Sequence, residues 1–277
     1  MWKGAGAAAH RPGWAREAQW SSRAKGGKFM MDTNRKVIVE GHRGYCAAYP
    51  ENTMLSYDAA MDLGVDAMEF DIWLTKDKTP VLMHDGNGLR TCGVNRMIRD
   101  MTLCEVKELE PVYREKFGDR YAGQGITVPT LEELLVRCAQ KRPNLILGVE
   151  FKEYTEENVD LSVELLKKYG FFDRCYFYAF NGRIIKYIKT RYNGRTMGYP
   201  DFQMTEFEED TYRYYDEIGL GMQLAKSELL PFYQAKKLPI HMYCADTAEN
   251  VEYCLDHGAS LITANDPVPV MKRLGRL

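Results

Sequence analysis

The stretch VDAMEFDIWLTKDKTPVLMH, residues 65–84, decides how this chain is divided into strands. It holds two β-rich runs, EFDIW (69–73) and PVLMH (80–84), with only six residues between them. A parallel crossover needs a dozen residues or more, so the runs must pair antiparallel, in a hairpin turning at Lys76–Thr79. The second run therefore does not count as a repeat of a parallel sheet. A turn centred there sets Asp71 opposite His84, and Glu69, two residues from Asp71, shares its face. Two carboxylates and an imidazole are then expected on one side of one short ribbon.

Working outward, seven further strands are expected: 37–40, 144–151, 175–180, 195–199, 218–224, 238–244 and 260–263. Helical stretches separate them. Asn52 or Thr53 opens one whose apolar residues Met54, Tyr57 and Met61 share a face, and Gly64 stops it. Thr130 with Glu133 makes a capping box before the apolar stripe Leu131, Leu134, Leu135 and Cys138. Val159, Val163 and Leu166 mark the next, closed by Gly170; others are expected near 182–192 and around Val251, Cys254 and Leu255. Strands alternating with helices imply βαβ units. With 65–73 they number eight, which predicts a (β/α)8 TIM barrel with a β-hairpin excursion after the second strand. The alternative, a doubly wound open sheet, is not supported by any G-x-G-x-x-G after the first strand or by a Walker loop.

Composition narrows the function. Lys plus Arg number 37 against 39 Asp plus Glu, a net charge of −2, which argues against a nucleic-acid partner. At 45% hydrophobic and 27% charged the chain reads as ordinary globular protein. No apolar run approaches the ~20 residues of a spanning helix, so no integral membrane association is expected. Seven cysteines at irregular spacing, with no C-x-x-C, read as free thiols in a reducing compartment, hence a cytoplasmic location. Residues 1–30 carry six Lys or Arg against the single acid Glu17 and no apolar period. They are expected to be a disordered extension, or translated sequence upstream of a start at Met30 or Met31, with the barrel domain at 36–277.

The chemistry-bearing residues fall at strand ends: G-H-R-G (41–44), P-E-N-T (50–53), E-F-D (69–71), H-D (84–85) and E-F-K (150–152). In a barrel that rim is where active sites are built. In order and spacing these motifs resemble the glycerophosphodiester phosphodiesterase family, whose pattern is HRG, PENT, E-x-D, HD and E-x-K. The resemblance runs from about Lys36 to the C-terminus. It implies a (β/α)8 barrel that hydrolyses glycerophosphodiesters to an alcohol and sn-glycerol 3-phosphate with a divalent metal. Two stretches depart from the family. Met242-Tyr243-Cys244 stands where Trp-Thr is usual, and Thr263-Ala264-Asn265-Asp266-Pro267 is one residue longer than T-D-x-P. Both bear on substrate choice more than on the chemistry.

Beside that match, the residues themselves are informative. Glu69, Asp71 and Glu150 offer hard oxygen ligands without His or Cys, a set suited to one divalent cation, Mg²⁺ or Ca²⁺, and not zinc. Three carboxylates at one mouth repel unless a cation joins them. His42 and His84, placed on opposite sides of a phosphate, make an acid and a base. Arg43 and Lys152 add positive charge for the substrate phosphate. Glu51 is expected to position Arg43, Asn52 to cap a helix, and Asp85 to orient a neighbour from the other hairpin face. Phe180 and Tyr243 end strands and are candidates for the pocket wall. His241 and His257 read as structural or exposed.

The scheme the family implies has one histidine deprotonating the glycerol 2-hydroxyl, which attacks phosphorus. The other protonates the departing alcohol, and water opens the cyclic phosphate. Two rival readings are a lysophospholipase D-type phosphodiesterase and a non-catalytic barrel that binds phosphorylated ligands. The intact histidine pair and all three carboxylates weigh against the second.

Overall fold

The computed structural model describes residues 37–277; the segment 1–30, read above as an extension, lies outside the described residues. The strands are β1 (Ile38–Gly41), β2 (Ala67–Leu74), β3 (Pro80–Leu82), β4 (Ile146–Phe151) and β5 (Cys175–Tyr178). Then come β6 (Met197–Gly198), β7 (Glu217–Gly221), β8 (Ile240–Tyr243) and β9 (Leu261–Ala264). Eight of them pair in the order β5-β4-β2-β1-β9-β8-β7-β6, with β3 attached to β2 alone. A parallel bridge between Phe177 and Thr196 joins the two ends, so the ring is nearly closed. The architecture is the (β/α)8 barrel expected from the strand count.

Local chemistry explains the helices around it. Thr130 accepts from the Glu133 amide while the Glu133 carboxylate accepts from Thr130, the reciprocal box that starts Leu131–Lys141. That helix buries Leu131, Leu134, Leu135 and Cys138 against the sheet; each fully buried leucine contributes roughly 1.5–3 kcal/mol. Thr53, not Asn52, caps Met54–Leu63 by accepting from the Ser56 amide, and Gly64 ends it in the left-handed region. The apolar run 218–224 was expected to be one strand, but β7 stops at Gly221 and Met222–Ala225 form a helical turn. Apolar runs of this length do not separate strand from buried helix by pattern alone.

The hairpin forms with a register one residue from that expected. Ile72 faces Leu82 and Trp73 faces Val81, which sets Asp71 opposite Met83, not His84. The turn is centred on Asp77: the Thr75 amide donates to the Thr79 carbonyl at 3.0 Å, and Lys78 takes a left-handed φ of 65°. A shift of one residue exchanges the faces of a strand. His84 still reaches the barrel mouth because β3 ends at Leu82 and the chain turns off the ribbon. The Trp73 indole holds the His84 carbonyl at 3.2 Å. The excursion then continues well past the hairpin with a small core of its own, including Val81, Met83, Ile98, Met101, Leu109 and Val128.

Inside the barrel, Tyr176 on β5 donates to Glu40 on β1, and Thr263 on β9 donates to the other Glu40 oxygen at 2.8 Å. β5 and β1 are not neighbours in the sheet, so this contact crosses the interior. Gly148 makes room for it: a Cβ there would meet the Tyr176 hydroxyl at 2.4 Å. Glu217 pairs with Arg195 and with His241. His241, read from sequence as structural or exposed, is therefore a buried partner of a buried acid.

Candidate metal centre and active site

The C-terminal ends of β1, β2 and β4 bring the predicted groups together. Each of Glu69, Asp71 and Glu150 offers an oxygen, all within 4.8 Å of one another, and all three residues are buried. Asp71 and Glu150 are register partners on adjacent strands. Glu69 Oε2 accepts the Arg43 amide at 2.9 Å, but Glu69 Oε1 and Asp71 Oδ1 are buried without a hydrogen-bond partner. Burial and the neighbouring Asp71 push the Glu69 carboxyl well above its ordinary range. Burial likewise pushes Glu150 up to about 7, against the opposing pull of Lys152. Burial raises Asp71 too, but Lys152 and Arg43 outweigh it and hold that carboxyl low. A buried acidic cluster with unfilled oxygens and no His or Cys among its donors fits a hard divalent cation.

Two cations border the cluster. Lys152 Nζ lies 2.5 Å from Glu150 and 3.3 Å from Asp71. The Arg43 guanidinium lies 3.3 Å from Asp71 and donates to Glu51 at 2.8 Å. Arg43 itself has a left-handed φ of 53°. It is followed by Gly44, φ 85°, where a Cβ would meet the Ser56 hydroxyl and backbone at about 2.5 Å, so only glycine completes this turn.

The two histidines enter from different elements and have different anchors. His42 follows β1, and its Nδ1 lies 2.7 Å from Asn265 Oδ1 while its Nε2 lies 3.8 Å from Glu69. Burial, with Arg43 beside it, pushes the His42 imidazole down to about 4. His84 Nδ1 lies 2.6 Å from Asp85 Oδ1, and burial lowers His84 against the attraction of Asp71.

Three contributors were missed in the sequence. Arg90 donates to both oxygens of Glu51 at 2.9 and 2.7 Å and to Asp85 at 2.7 Å. It thereby links the Arg43–Glu51 pair to the Asp85–His84 pair. Asn52, read as a helix cap, instead donates to Asp71 Oδ2 at 2.8 Å while accepting from the Tyr57 hydroxyl at 2.7 Å. Its left-handed φ of 54° points it inward. Tyr199 joins the two wall candidates: Phe180 stacks on it at 3.9 Å, and Tyr243 meets it edge-on at 5.8 Å. Lys152 Nζ sits 5.9 Å from the Phe180 ring, which places that wall beside the cationic border of the cluster.

Residues 42–268 match the sequence pattern of the Glycerophosphoryl diester phosphodiesterase family. Over 160 residues, 56% of this chain, the sequence is 33% identical to a glycerophosphodiester phosphodiesterase of Caldanaerobacter subterraneus. Over 146 residues, 48% of this chain, it is 33% identical to one of Bacillus subtilis. The matched stretches span 62% and 48% of those two relatives. The fold is that of an Oleispira antarctica phosphodiesterase solved with the product sn-glycerol-3-phosphate. That likeness has a TM-score of 0.75 and 22% identity, and covers 86% of this chain and 96% of the other.

Proposed function

This chain belongs to the glycerophosphoryl diester phosphodiesterase family, and from that premise we propose that it hydrolyses glycerophosphodiesters to an alcohol and sn-glycerol 3-phosphate with one divalent cation. The observation that carries this reading is the buried Glu69–Asp71–Glu150 cluster, with unfilled oxygens, flanked by two separately anchored histidines. Mg²⁺ or Ca²⁺ bound by those three carboxylates would neutralise phosphate charge and draw the glycerol hydroxyls into the mouth. Arg43 and Lys152 face the same place and stabilise the negative charge that grows at phosphorus. Glu51 holds Arg43 in that direction. One imidazole takes the proton of the glycerol 2-hydroxyl, which attacks phosphorus, and the other gives a proton to the departing alcohol. Each role is worth ~10²–10⁴ in rate. Water then opens the cyclic phosphate. An internal nucleophile gains up to ~7–11 kcal/mol from proximity. Phe180 and Tyr243, joined through Tyr199, form the wall beside this centre.

Assays of glycerophosphocholine and lysophosphatidylcholine, each with EDTA and with Mg²⁺ or Ca²⁺ restored, test the reading. Metal-dependent release of choline from the first substrate is expected. Turnover of the second alone points to the lysophospholipase D-type alternative, and turnover of neither to a binding barrel. A glycerophosphodiester lacking the 2-hydroxyl should bind without turnover; undiminished hydrolysis would replace the internal nucleophile with direct attack by water.

No helix among the described residues is long and apolar enough to cross a membrane. The seven free thiols support a cytoplasmic location. The net charge of −2 supports small-molecule substrates, not nucleic acid, as the partners. Residues 1–30 belong to neither the motifs nor the family match. A chain beginning at Met31 is expected to keep the same kcat and Tm, read by assay and calorimetry.

A further inference from the structure

Resting on the two-histidine reading above, we propose that Asp246 is a positioning residue that acts through Asn265 to confine proton exchange by His42 to Nε2. Asp246 follows β8, Asn265 follows β9 and His42 follows β1, so three loops of the rim meet here. Asp246 Oδ1 accepts the backbone amides of Asn265 at 2.6 Å and of Asp266 at 3.1 Å. Its Oδ2 accepts the side-chain amide of Asn265 at 2.7 Å.

A carboxamide can present either its oxygen or its NH₂ to an imidazole, and the two choices select opposite tautomers. Both Asp246 oxygens accept amides, so Asp246 claims the NH₂ and leaves Asn265 Oδ1 turned toward His42. Two groups converge on that acceptor oxygen: His42 Nδ1 at 2.7 Å and the Cys46 thiol, which donates to it at 3.1 Å. Neutral His42 therefore carries its proton on Nδ1. Its free nitrogen, Nε2, is the one 3.8 Å from Glu69 at the acidic cluster. Whichever direction the catalytic proton travels at His42, it passes through Nε2, because Nδ1 is committed to Asn265. A wrong tautomer would turn an N–H toward the cluster and set a lone pair against the Asn265 oxygen, with only the weak Cys244 thiol donor, 3.6 Å from Nδ1, to meet it.

This role separates from mere tethering of the two loops by a tautomer measurement on the substrate-free protein. ¹⁵N-histidine long-range correlation spectra would be recorded in EDTA at pH 7.5. The His42→Gln variant assigns the signal. Wild type should show Nδ1 protonated and Nε2 bare. Asp246→Asn removes the acceptor that orders the amide, so the tautomers should mix. In that variant kcat on glycerophosphocholine should fall about 10–100-fold with KM within about twofold. Asn265→Asp should be impaired as well, because it sets two carboxylates against each other. The double variant Asp246→Asn with Asn265→Asp should recover both the tautomer and most of kcat. There a carboxylate accepts Nδ1–H directly, steadied by the new amide at position 246.

A wild-type His42 protonated on Nε2 overturns the proposal. So does an Asp246→Asn variant with unchanged tautomer and kcat, or a double variant no better than the worse single one. A wild type without activity on any phosphodiester, but with the expected tautomer, would fail the functional reading while leaving the Asp246 role standing.

Discussion

Inside the barrel, Glu40 receives hydrogen bonds from Tyr176 and Thr263, and Glu217 lies against Arg195 and His241. At the mouth, Glu69 Oε1 has no partner and Asp71 Oδ1 has only the Lys152 ammonium at 3.3 Å, although Glu69 and Asp71 are buried as deeply as Glu40 and Glu217. The interior acids carry their partners with them, and their removal leaves those partners stranded. The mouth acids outnumber the cations beside them, and the shortfall fits a divalent ion. Burial alone therefore does not distinguish a structural acid from a functional one; the difference is whether the protein completes the site by itself.

The largest effect expected breaks that comparison directly. Glu69→Gln should lower kcat/KM about a thousandfold, equivalent to ~4 kcal/mol of transition-state stabilisation. In EDTA its Tm should equal or exceed that of wild type, because the amide replaces an acid whose ionisation is opposed by burial and by Asp71. Glu217→Gln should do the opposite. It should cost on the order of 3 kcal/mol of stability by stranding the buried His241, with the activity of the folded fraction intact. Calorimetry with added cation sharpens the contrast: an ion at a hundred times its Kd adds ~2.7 kcal/mol. That gain should appear in wild type and Glu217→Gln and vanish in Glu69→Gln. A Glu69→Gln variant with normal turnover would end the metal reading.

The next prediction concerns pH. The Glu150 carboxyl, pushed up to about 7 by burial, stays protonated in the folded chain after the unfolded chain has ionised near 4.5. Between those values the unfolded state binds fewer protons at this group, so wild type in EDTA should lose stability relative to Glu150→Gln as pH rises from about 4.5 to 7. The comparison cancels the opposite slope of His42, which burial pushes down to about 4. A bound cation keeps the carboxylate ionised in the folded state and should flatten that slope. Urea titrations at four or five pH values, with and without metal, read it. A slope of the same size in both conditions would show that Glu150 does not meet the ion.

Smaller still is the effect at Arg90, which joins Glu51 to Asp85. Arg90→Ala should reduce kcat about 10–100-fold by releasing Asp85 and, behind it, His84. Arg90→Lys should recover only part of this, since a point charge cannot span two carboxylates as a planar fork does. Equal activity in the two variants would reduce Arg90 to a surface ion pair.

The order of these effects follows what could be read in the sequence. The barrel was legible because its signals are local: Thr130 caps a helix with Glu133, and Leu131, Leu134 and Leu135 bury the face that follows. The acids and histidines were legible because they cluster in short motifs at strand ends. Arg90 meets Glu51 across 39 positions, and His42 meets Asn265 across 223. No local spacing announces contacts that exist only after the ring has closed. Asn52 was misread for a related reason: it sits beside the true cap, and only its left-handed backbone turns its amide toward Asp71.

The hairpin turn offers the smallest effect, and it tests how the mouth obtains His84. Lys78 occupies a left-handed conformation, φ 65°, that costs a residue with a Cβ roughly 1 kcal/mol. No glycine marks the position, so the sequence suggested a turn centred half a residue later, with Asp71 and His84 as partners. Lys78→Gly removes the strain but also removes the exposed contact with Glu157 at 2.7 Å, a solvent-screened pair that contributes little. The net change should be between zero and about 0.5 kcal/mol of added stability. Turnover should be unaffected, because His84 is placed by Trp73, Asp85 and Arg90 after the strand has ended. A large fall in kcat with unchanged Tm would mean that the turn, and not the loop beyond β3, sets the imidazole. The mouth would then depend on strand register as closely as the interior does.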